Sequence, residues 1–350
     1  MQGVYLALVR RGVARAAAAP APPAAPDVPV SVVVAARDEA ARIGALVDAL
    51  SAQTHRALDI VVVDDGSTDR TRDVLAAWAA RDVRVRVLPN TGAAGKKGAL
   101  ATGIAAARAP VVLLTDADCA PPPGWAAALA GYAALPVPPV VVGYAPYRRR
   151  AGGRGGAALE GAARYETFAA AVLTLATVGL GRPYMAVGRT LAVPVSAFLA
   201  VGGFARHAHL LSGDDDLLVQ DIAAARAAPI VHALGADTYV PSDAPTSWRA
   251  WLRQKRRHLS DGRHYPRGVQ AHLAAYHGSA SILWLAPAAG WPGAVLLAAR
   301  LAGLAWASAP AARLLGARDL LAWMPLHEFG HLLYNALLAP VSMARPLRRW

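Results

Sequence analysis

Asp64-Asp65-Gly66-Ser67-Thr68-Asp69 closes the apolar run Ile60–Val63. A second run, Val30–Ala35, ends in Arg37-Asp38-Glu39, and a third, Val111–Thr115, runs into Asp116-Ala117-Asp118. Three strand-like runs thus each deliver carboxylates to their C-terminal ends. In an open α/β sheet that edge is where ligands bind. A fourth acidic cluster, Asp214-Asp215-Asp216, lies about a hundred residues further on. Together these residues have the chemistry to hold a divalent cation and a nucleotide. Hard cations choose oxygen ligands and bridge phosphates, and a departing diphosphate needs its charge neutralised.

The elements that must position them alternate. Apolar runs at Val30–Ala35, Ile60–Val63, Val83–Leu88, Val111–Thr115 and Val137–Val142 are separated by helical stretches at Glu39–Gln53, Thr68–Ala80 and Gly98–Ala107. Continuous Val-rich runs between helices predict a parallel sheet covered on both faces. Ser67-Thr68-Asp69 suits the N-cap of a helix over Arg70–Ala80. Leu159–Leu180 reads as a helix that is buried or interfacial, its uncharged part being short for a span. Arg148–Gly156 reads as a basic, Gly-rich loop, and Gly202-Gly203-Phe204 as a tight turn before the acidic cluster.

The chain has 350 residues, one cysteine (Cys119) and a formal charge of +13, with a mean hydropathy of +0.31. A lone cysteine excludes an internal disulfide framework and fits a reducing compartment. Basic charge on an apolar chain fits membrane attachment better than nucleic-acid binding, for which no module is present. Residues 1–29 read as a tether or partial membrane helix, 30–245 as the α/β domain, 246–270 as an interfacial basic helix and 271–350 as a membrane region. Within that region Ser281–Ser308 and Leu320–Val341 are each long enough to cross a bilayer. Pro287, Gly290 and Pro292 can break the first into a hairpin, so two to three spans are expected. Three arginines in Arg345–Trp350 place the tail, and with it the catalytic domain, on the cytoplasmic face of the inner membrane.

In order along residues 30–260, the motifs resemble those of the family-two inverting glycosyltransferases. Val34-Ala35-Ala36-Arg37-Asp38-Glu39 looks like their opening strand. Val62–Asp69 is similar to V-D-D-G-S-x-D, and Gly95-Lys96-Lys97-Gly98-Ala99-Leu100 to G-K-x-x-A-L. Asp116-Ala117-Asp118 matches the D-x-D metal motif and Gly213-Asp214-Asp215-Asp216 the G-E-D box. Gln254-Lys255-Arg256-Arg257-His258 resembles the Q-x-x-R-W box of membrane-bound members. The resemblance implies a Rossmann-like GT-A domain, for nucleotide-diphospho-sugar transfer, followed by C-terminal transmembrane helices.

It also implies roles. Ala36, Arg37, Glu39, Asp64, Asp65, Lys97 and Asp116 would bind the donor, a nucleotide sugar expected to be UDP-linked. Asp118 and Asp116 would hold Mg²⁺ or Mn²⁺. Asp215 would be the catalytic base, and Asp214, Gln254, Arg257 and His258 would serve the acceptor and the diphosphate. The acceptor would be a lipid or a membrane-associated glycan. In-line attack needs a base opposite the leaving group, so a carboxylate distant from the D-x-D is expected. Asp214 and Asp216 are expected to raise the proton affinity of Asp215. Three positions depart from the pattern: Asp214 replaces Glu, Thr190 in Gly188-Arg189-Thr190-Leu191-Ala192 replaces Asn, and His258 replaces Trp. The last argues against a processive polysaccharide synthase, the nearest alternative.

A literal H-E-x-x-H, His327-Glu328-Phe329-Gly330-His331, offers a reading of another class, an intramembrane zinc protease. No Asp, Glu, His or Cys follows His331, so a third ligand would have to lie upstream. Buried polar packing or lining of an acceptor channel is the expectation for these residues. A glycan-binding pseudoenzyme is disfavoured by the intact acidic set.

Overall fold

The computed structural model describes residues 1–149 and 157–344. Most of the expected basic loop at 148–156 and the arginine tail at 345–350 therefore lie outside the described residues. The chain divides into two units. One is built from residues 20–146 and 183–242, the other from 1–19, 147–182 and 243–350. The first unit begins at residue 20 and ends at residue 242, and the helix near 160–180 groups with the second unit.

The first unit is an α/β sheet of seven strands in the order β3-β2-β1-β4-β6-β5-β7. They are β1 (Val30–Ala36), β2 (Leu58–Asp64), β3 (Val85–Pro89), β4 (Val111–Leu114), β5 (Val140–Val142), β6 (Leu191–Pro194) and β7 (Ile230–His232). Helices α2 (Ile43–Ser51), α3 (Thr71–Ala79), α4 (Lys96–Ala106), α5 (Trp125–Ala133), α7 (Val195–Ala200) and α8 (Asp216–Ala225) connect them. Val30, Val32, Val34, Ile60, Val62 and Leu113 are fully or almost fully buried among Leu46, Leu50, Leu75, Trp125 and Leu129. That is why the runs lack polar alternation.

Register puts the acidic ends together. Ala36 lies opposite Asp64, and Val33 opposite Leu114, so Arg37, Asp65 and Asp116 leave the sheet along one edge. The five runs expected to form a parallel sheet, β1 to β5, all run the same way; β6, later in the sequence, inserts antiparallel to both β4 and β5. Its N-terminal approach, residues 188–190, therefore arrives at the same edge as the C-terminal end of β4. A hydrogen bond from the Thr115 hydroxyl to the Arg189 carbonyl (2.9 Å) fastens the two.

The second unit is helical: α1 (Gln2–Ala17), α6 (Ala157–Gly179), α9 (Trp248–Asp261), α10 (Arg267–Leu285), α11 (Trp291–Leu314), α12 (Asp319–Ala322) and α13 (Met324–Ala344). Helices α1 and α6 touch backbone to backbone: a Cβ on Gly12 would overlap the Ala176 carbonyl, and one on Gly179 would overlap that of Gly12. Small residues permit such approaches. The apolar stretch from Ser281 breaks at residues 286–290, where Gly290 has φ +97°.

Among the described residues one helix, Trp291–Leu314, is long and apolar enough to cross a membrane, with a mean hydropathy of 1.4 over its best window. The expected second span, Leu320–Val341, is instead interrupted at Trp323, and His327, Glu328, His331 and Asn335 dilute its hydropathy. Trp291, Val295, Leu296 and Trp306 on α11 and Leu326, Phe329, Leu333 and Leu337 on α13 are exposed.

Candidate active site

The β1 and β2 ends are tied by the Asp65 amide, which donates to the Ala36 carbonyl (2.9 Å). Ala36 itself is a buried core residue. The Asp65 carboxylate is buried and accepts from Asn90 Nδ2 (2.6 Å) and the Gly95 amide (2.9 Å). Gly95, at φ +105°, caps α4 and can aim its N–H this way without strain. Arg37 Nη1 lies 3.5 Å from Asp65 Oδ2, the oxygen that takes the Gly95 amide. One carboxylate thus sets the loop 90–95 that precedes α4.

Asp64 is spent on its own loop. It accepts from the Ser67 amide (3.2 Å) and Arg72 Nε (2.6 Å). Burial would raise its proton affinity, but these two donors hold it below the usual carboxylate range. Asp38, in the left-handed region at φ +54°, accepts from the Thr68 amide and hydroxyl and braces the same turn. Half-buried Glu39 pairs with Arg42 (2.9 Å). Burial raises its proton affinity; Arg42 opposes this and Asp118 adds to it.

Lys96 joins two acidic groups that are far apart in sequence. Its Nζ is 2.8 Å from Asp116 Oδ1 and 2.7 Å from Asp214 Oδ2. Burial disfavours its charge, but Asp116 and Asp214 more than compensate and raise its pKa well above the ordinary lysine value. The next residue, Lys97, is buried and faces elsewhere: its ammonium donates to the carbonyls of His207 (2.7 Å), Leu210 (3.3 Å) and Ser212 (2.6 Å). Lys97 therefore fastens the loop leading to Asp214, while Lys96 reaches the carboxylates. In G-K-x-x-A-L the lysine follows the glycine directly, which is the signal that singles out Lys96.

Gly213, at φ +83°, turns the chain into the acidic triplet. Asp214 is held ionised: burial would raise its pKa, but Lys96 lowers it below the usual range. Asp215 caps α8. Its carboxylate accepts from the Asp216 amide (2.8 Å) and the Gly188 amide (2.9 Å). Burial and then the charge of Asp214 raise its proton affinity, and the two amides oppose the rise. Asp216 bonds away, to the Ala186 amide (2.8 Å). A Cβ on Gly188 would stand 3.3 Å from Asp214, 3.5 Å from Asp215 and 3.6 Å from Lys96, so this glycine floors the charged group. The motifs alone assign the donor role to Lys97 rather than Lys96 and give Gly188 no part in holding Asp215.

Asp116 and Asp118 leave β4 half-exposed, at 29% and 41% for their side chains; Arg42 lies 3.7 Å from Asp118. Among the described residues no group of three or more His, Cys, Asp or Glu could cage a metal ion. Two hard oxygen donors with open positions fit a cation of the Mg²⁺ or Mn²⁺ kind that takes its remaining ligands from water and phosphate.

Gln254, Arg257 and His258 lie on α9 of the helical unit. There Gln254 meets the Tyr147 hydroxyl (3.3 Å), and neighbouring Lys255 is buried against Glu166. Arg257 is half-buried and His258 exposed. The H-E-x-x-H residues do not form a protease centre. Glu328 is buried, paired with Arg300 and bonded to Trp284 Nε1 (2.5 Å), so it is not free to act as a base. His327 stacks on Tyr165.

Residues 31–189 match the family described as Glycosyl transferase family 2. The glycosyltransferase GlyG of Streptococcus pneumoniae is 33% identical over 89 residues, 25% of this chain and 30% of that one. The undecaprenyl-phosphate 4-deoxy-4-formamido-L-arabinose transferase of Pseudomonas aeruginosa is 37% identical over 99 residues, 27% of this chain and 29% of that one. The alignments thus span under a third of these curated relatives. Among solved structures, the mannosyltransferase PcManGT from Pyrobaculum calidifontis, in complex with GDP-Man and Mn²⁺, superposes with a TM-score of 0.60 at 20% identity, over 97% of this chain and 98% of that one. That likeness is one of fold.

Proposed function

We propose that this chain, which carries a family 2 glycosyltransferase domain, is a membrane-bound, inverting, metal-dependent enzyme. It moves a sugar from a nucleotide donor to a lipid or a membrane-associated glycan. The observation that carries this reading is the Lys96 bridge, which gathers the D-x-D carboxylate Asp116 and the Asp214–Asp215 pair into one charged group.

In the proposed reaction the acceptor hydroxyl attacks the anomeric carbon. Its proton passes to the Asp215 carboxylate, whose raised proton affinity suits a general base. The new C–O bond forms as the bond from the anomeric carbon to the phosphate oxygen breaks, and the nucleoside diphosphate leaves with that electron pair. Asp116 and Asp118 would hold the divalent cation, which when bound supplies charge neutralisation for the diphosphate. Arg37 and Asp65 border the nucleotide's side of the edge. The exposed apolar faces of α11 and α13 and the basic helix α9, with exposed Trp248 and Arg253, suit a bilayer and its headgroups. The cytoplasmic face of the inner membrane is the proposed location. The lipid-phosphate transferase among the relatives and the GDP-mannose complex among the structures broaden the candidates to polyprenyl-phosphate acceptors and GDP-linked donors.

The test is nucleoside-diphosphate release by detergent-solubilised protein. The donors are UDP-, GDP- and dTDP-sugars, with added membrane lipids, in Mn²⁺ or EDTA. We expect one donor to give metal-dependent release that Asp215→Asn abolishes. Release that persists in EDTA or in the variant would overturn the reading.

A further inference from the structure

We propose that Lys96 is a tethered cation that occupies the metal-binding carboxylate until the donor arrives, making metal binding conditional on the nucleotide. The inference rests on the glycosyltransferase reading for the metal's purpose but not for its measurement.

The geometry is specific. Lys96 stands in the first turn of α4, and its Nζ takes one oxygen of Asp116 at 2.8 Å and one of Asp214 at 2.7 Å. The other D-x-D carboxylate also has a cation nearby, Arg42 at 3.7 Å from Asp118, but those side chains are 61% and 41% exposed. Solvent weakens that pair, whereas the Lys96 bridge is sheltered, its lysine and Asp214 being only 24% and 12% exposed. A divalent ion coming to Asp116 must therefore displace an ammonium already in contact, or share the carboxylate with it at close range.

Like charges at such a distance repel, and the sheltered setting screens them little. A diphosphate changes the balance. It brings two or more negative charges and oxygen donors, so metal and lysine can then be accommodated together. Lys97 adds a constraint: its three carbonyl bonds pin the loop before Asp214. The lysine's second partner therefore cannot drift away, and Lys96 retains Asp214 as an anchor when Asp116 is claimed. The same arrangement keeps a stray divalent ion from settling beside Asp215 before substrate is present.

The experiment reads free Mn²⁺ by electron paramagnetic resonance in titrations of the full chain in detergent, with no nucleotide, with UDP and with GDP. We expect the wild type to bind Mn²⁺ weakly alone and at least about tenfold more tightly with one of the nucleotides. Lys96→Met should bind Mn²⁺ alone at least about tenfold more tightly than wild type, and gain less from the nucleotide. Lys96→Arg, which keeps the charge, should stay weak. Should Lys96→Met fold poorly, Lys96→Met with Asp214→Asn removes the stranded partner and carries the same expectation.

Three results would overturn the proposal. Wild-type Mn²⁺ affinity could be indifferent to both nucleotides. The neutral variants could bind no tighter than wild type. The arginine variant could bind as tightly as the methionine one. These readouts separate the two ideas: equal Mn²⁺ affinities with intact sugar transfer sink the lysine role alone, and the expected affinities with no diphosphate release from any donor sink the enzyme reading alone.

Discussion

Trp125 donates its indole N–H to the Thr190 hydroxyl at 3.1 Å, and that hydroxyl donates on to the Thr238 carbonyl, also at 3.1 Å. All three residues are buried. Thr190 occupies the place where the resembling pattern carries Asn. One hydroxyl here accepts and donates once each, joining α5, the approach to β6 and the segment before residue 240. Thr190→Val keeps the shape and loses both bonds. We expect a cost of about 1–3 kcal/mol, read as a fall in unfolding free energy, with a small effect on donor binding.

Asp65 orders the loop that feeds α4 through Asn90 and Gly95. Asp65→Ala frees both donors and should loosen UDP or GDP binding by roughly tenfold or more, as expected from losing 1–3 kcal/mol of polar contact. Calorimetric titration of the nucleotide alone checks this. Unchanged affinity would show that the loop does not shape the nucleotide pocket.

Asp215 must be ionised to take a proton, and its proton affinity is raised by burial and by Asp214. Activity should therefore fall as pH drops through a value above that of an ordinary carboxylate. Asp214→Asn removes the neighbouring negative charge, which lowers the pKa of Asp215 and moves the acid limb to lower pH. An acid limb that stays in place in this variant would count against Asp215 as the titrating base.

Lys97→Met leaves three carbonyls without their cation. A hydrogen bond to a charged group is worth about 1.5–3 kcal/mol. We expect a clear loss of stability and faster proteolysis within residues 205–213, with nucleotide binding retained. Protection of that loop equal to wild type would contradict the bracing role.

Arg300 and Glu328 form a buried pair in the helical unit. Arg300→Met should cost about 3–5 kcal/mol because it strands the carboxylate. Adding Glu328→Gln should recover much of that loss. Thermal unfolding in detergent reads both, and additive losses would mean that the two side chains act separately.

How much of this was legible in the chain varies with its physics. Strands β1, β2 and β4 were plain because a strand buried on both faces must be apolar throughout, and their carboxylates mark where each one ends. β6 was not, being four residues long and set antiparallel by partners far away in sequence. The acidic members of the site could be named from their order. Lys96 was legible only through its place directly after Gly95, since adjacent residues of a helix point roughly 100° apart and composition does not say which lysine faces the acids; Gly188 carried no signal, because its contact with Asp215 is set by the fold. The membrane reading rested on counting apolar residues, and a count does not register the break at Trp323 or the polar face that α13 turns inward.

The packing of α1 on α6 and α11 has a consequence in time. Helix α1 packs Gly12 against Ala176 and Gly179 on α6, while its Arg10 lies 4.5 Å over the Trp306 ring of α11 and donates to that residue's carbonyl. At a ribosome's pace of about 5–20 residues per second, α1 is made roughly 10–30 s before α6 and close to a minute before α11 at the slower rate. During that delay α1 lacks the α6 and α11 surfaces on which it packs. A nascent chain in this state needs a temporary host, so yield should respond to chaperones or to the presence of lipid during synthesis more than to any property of the finished protein.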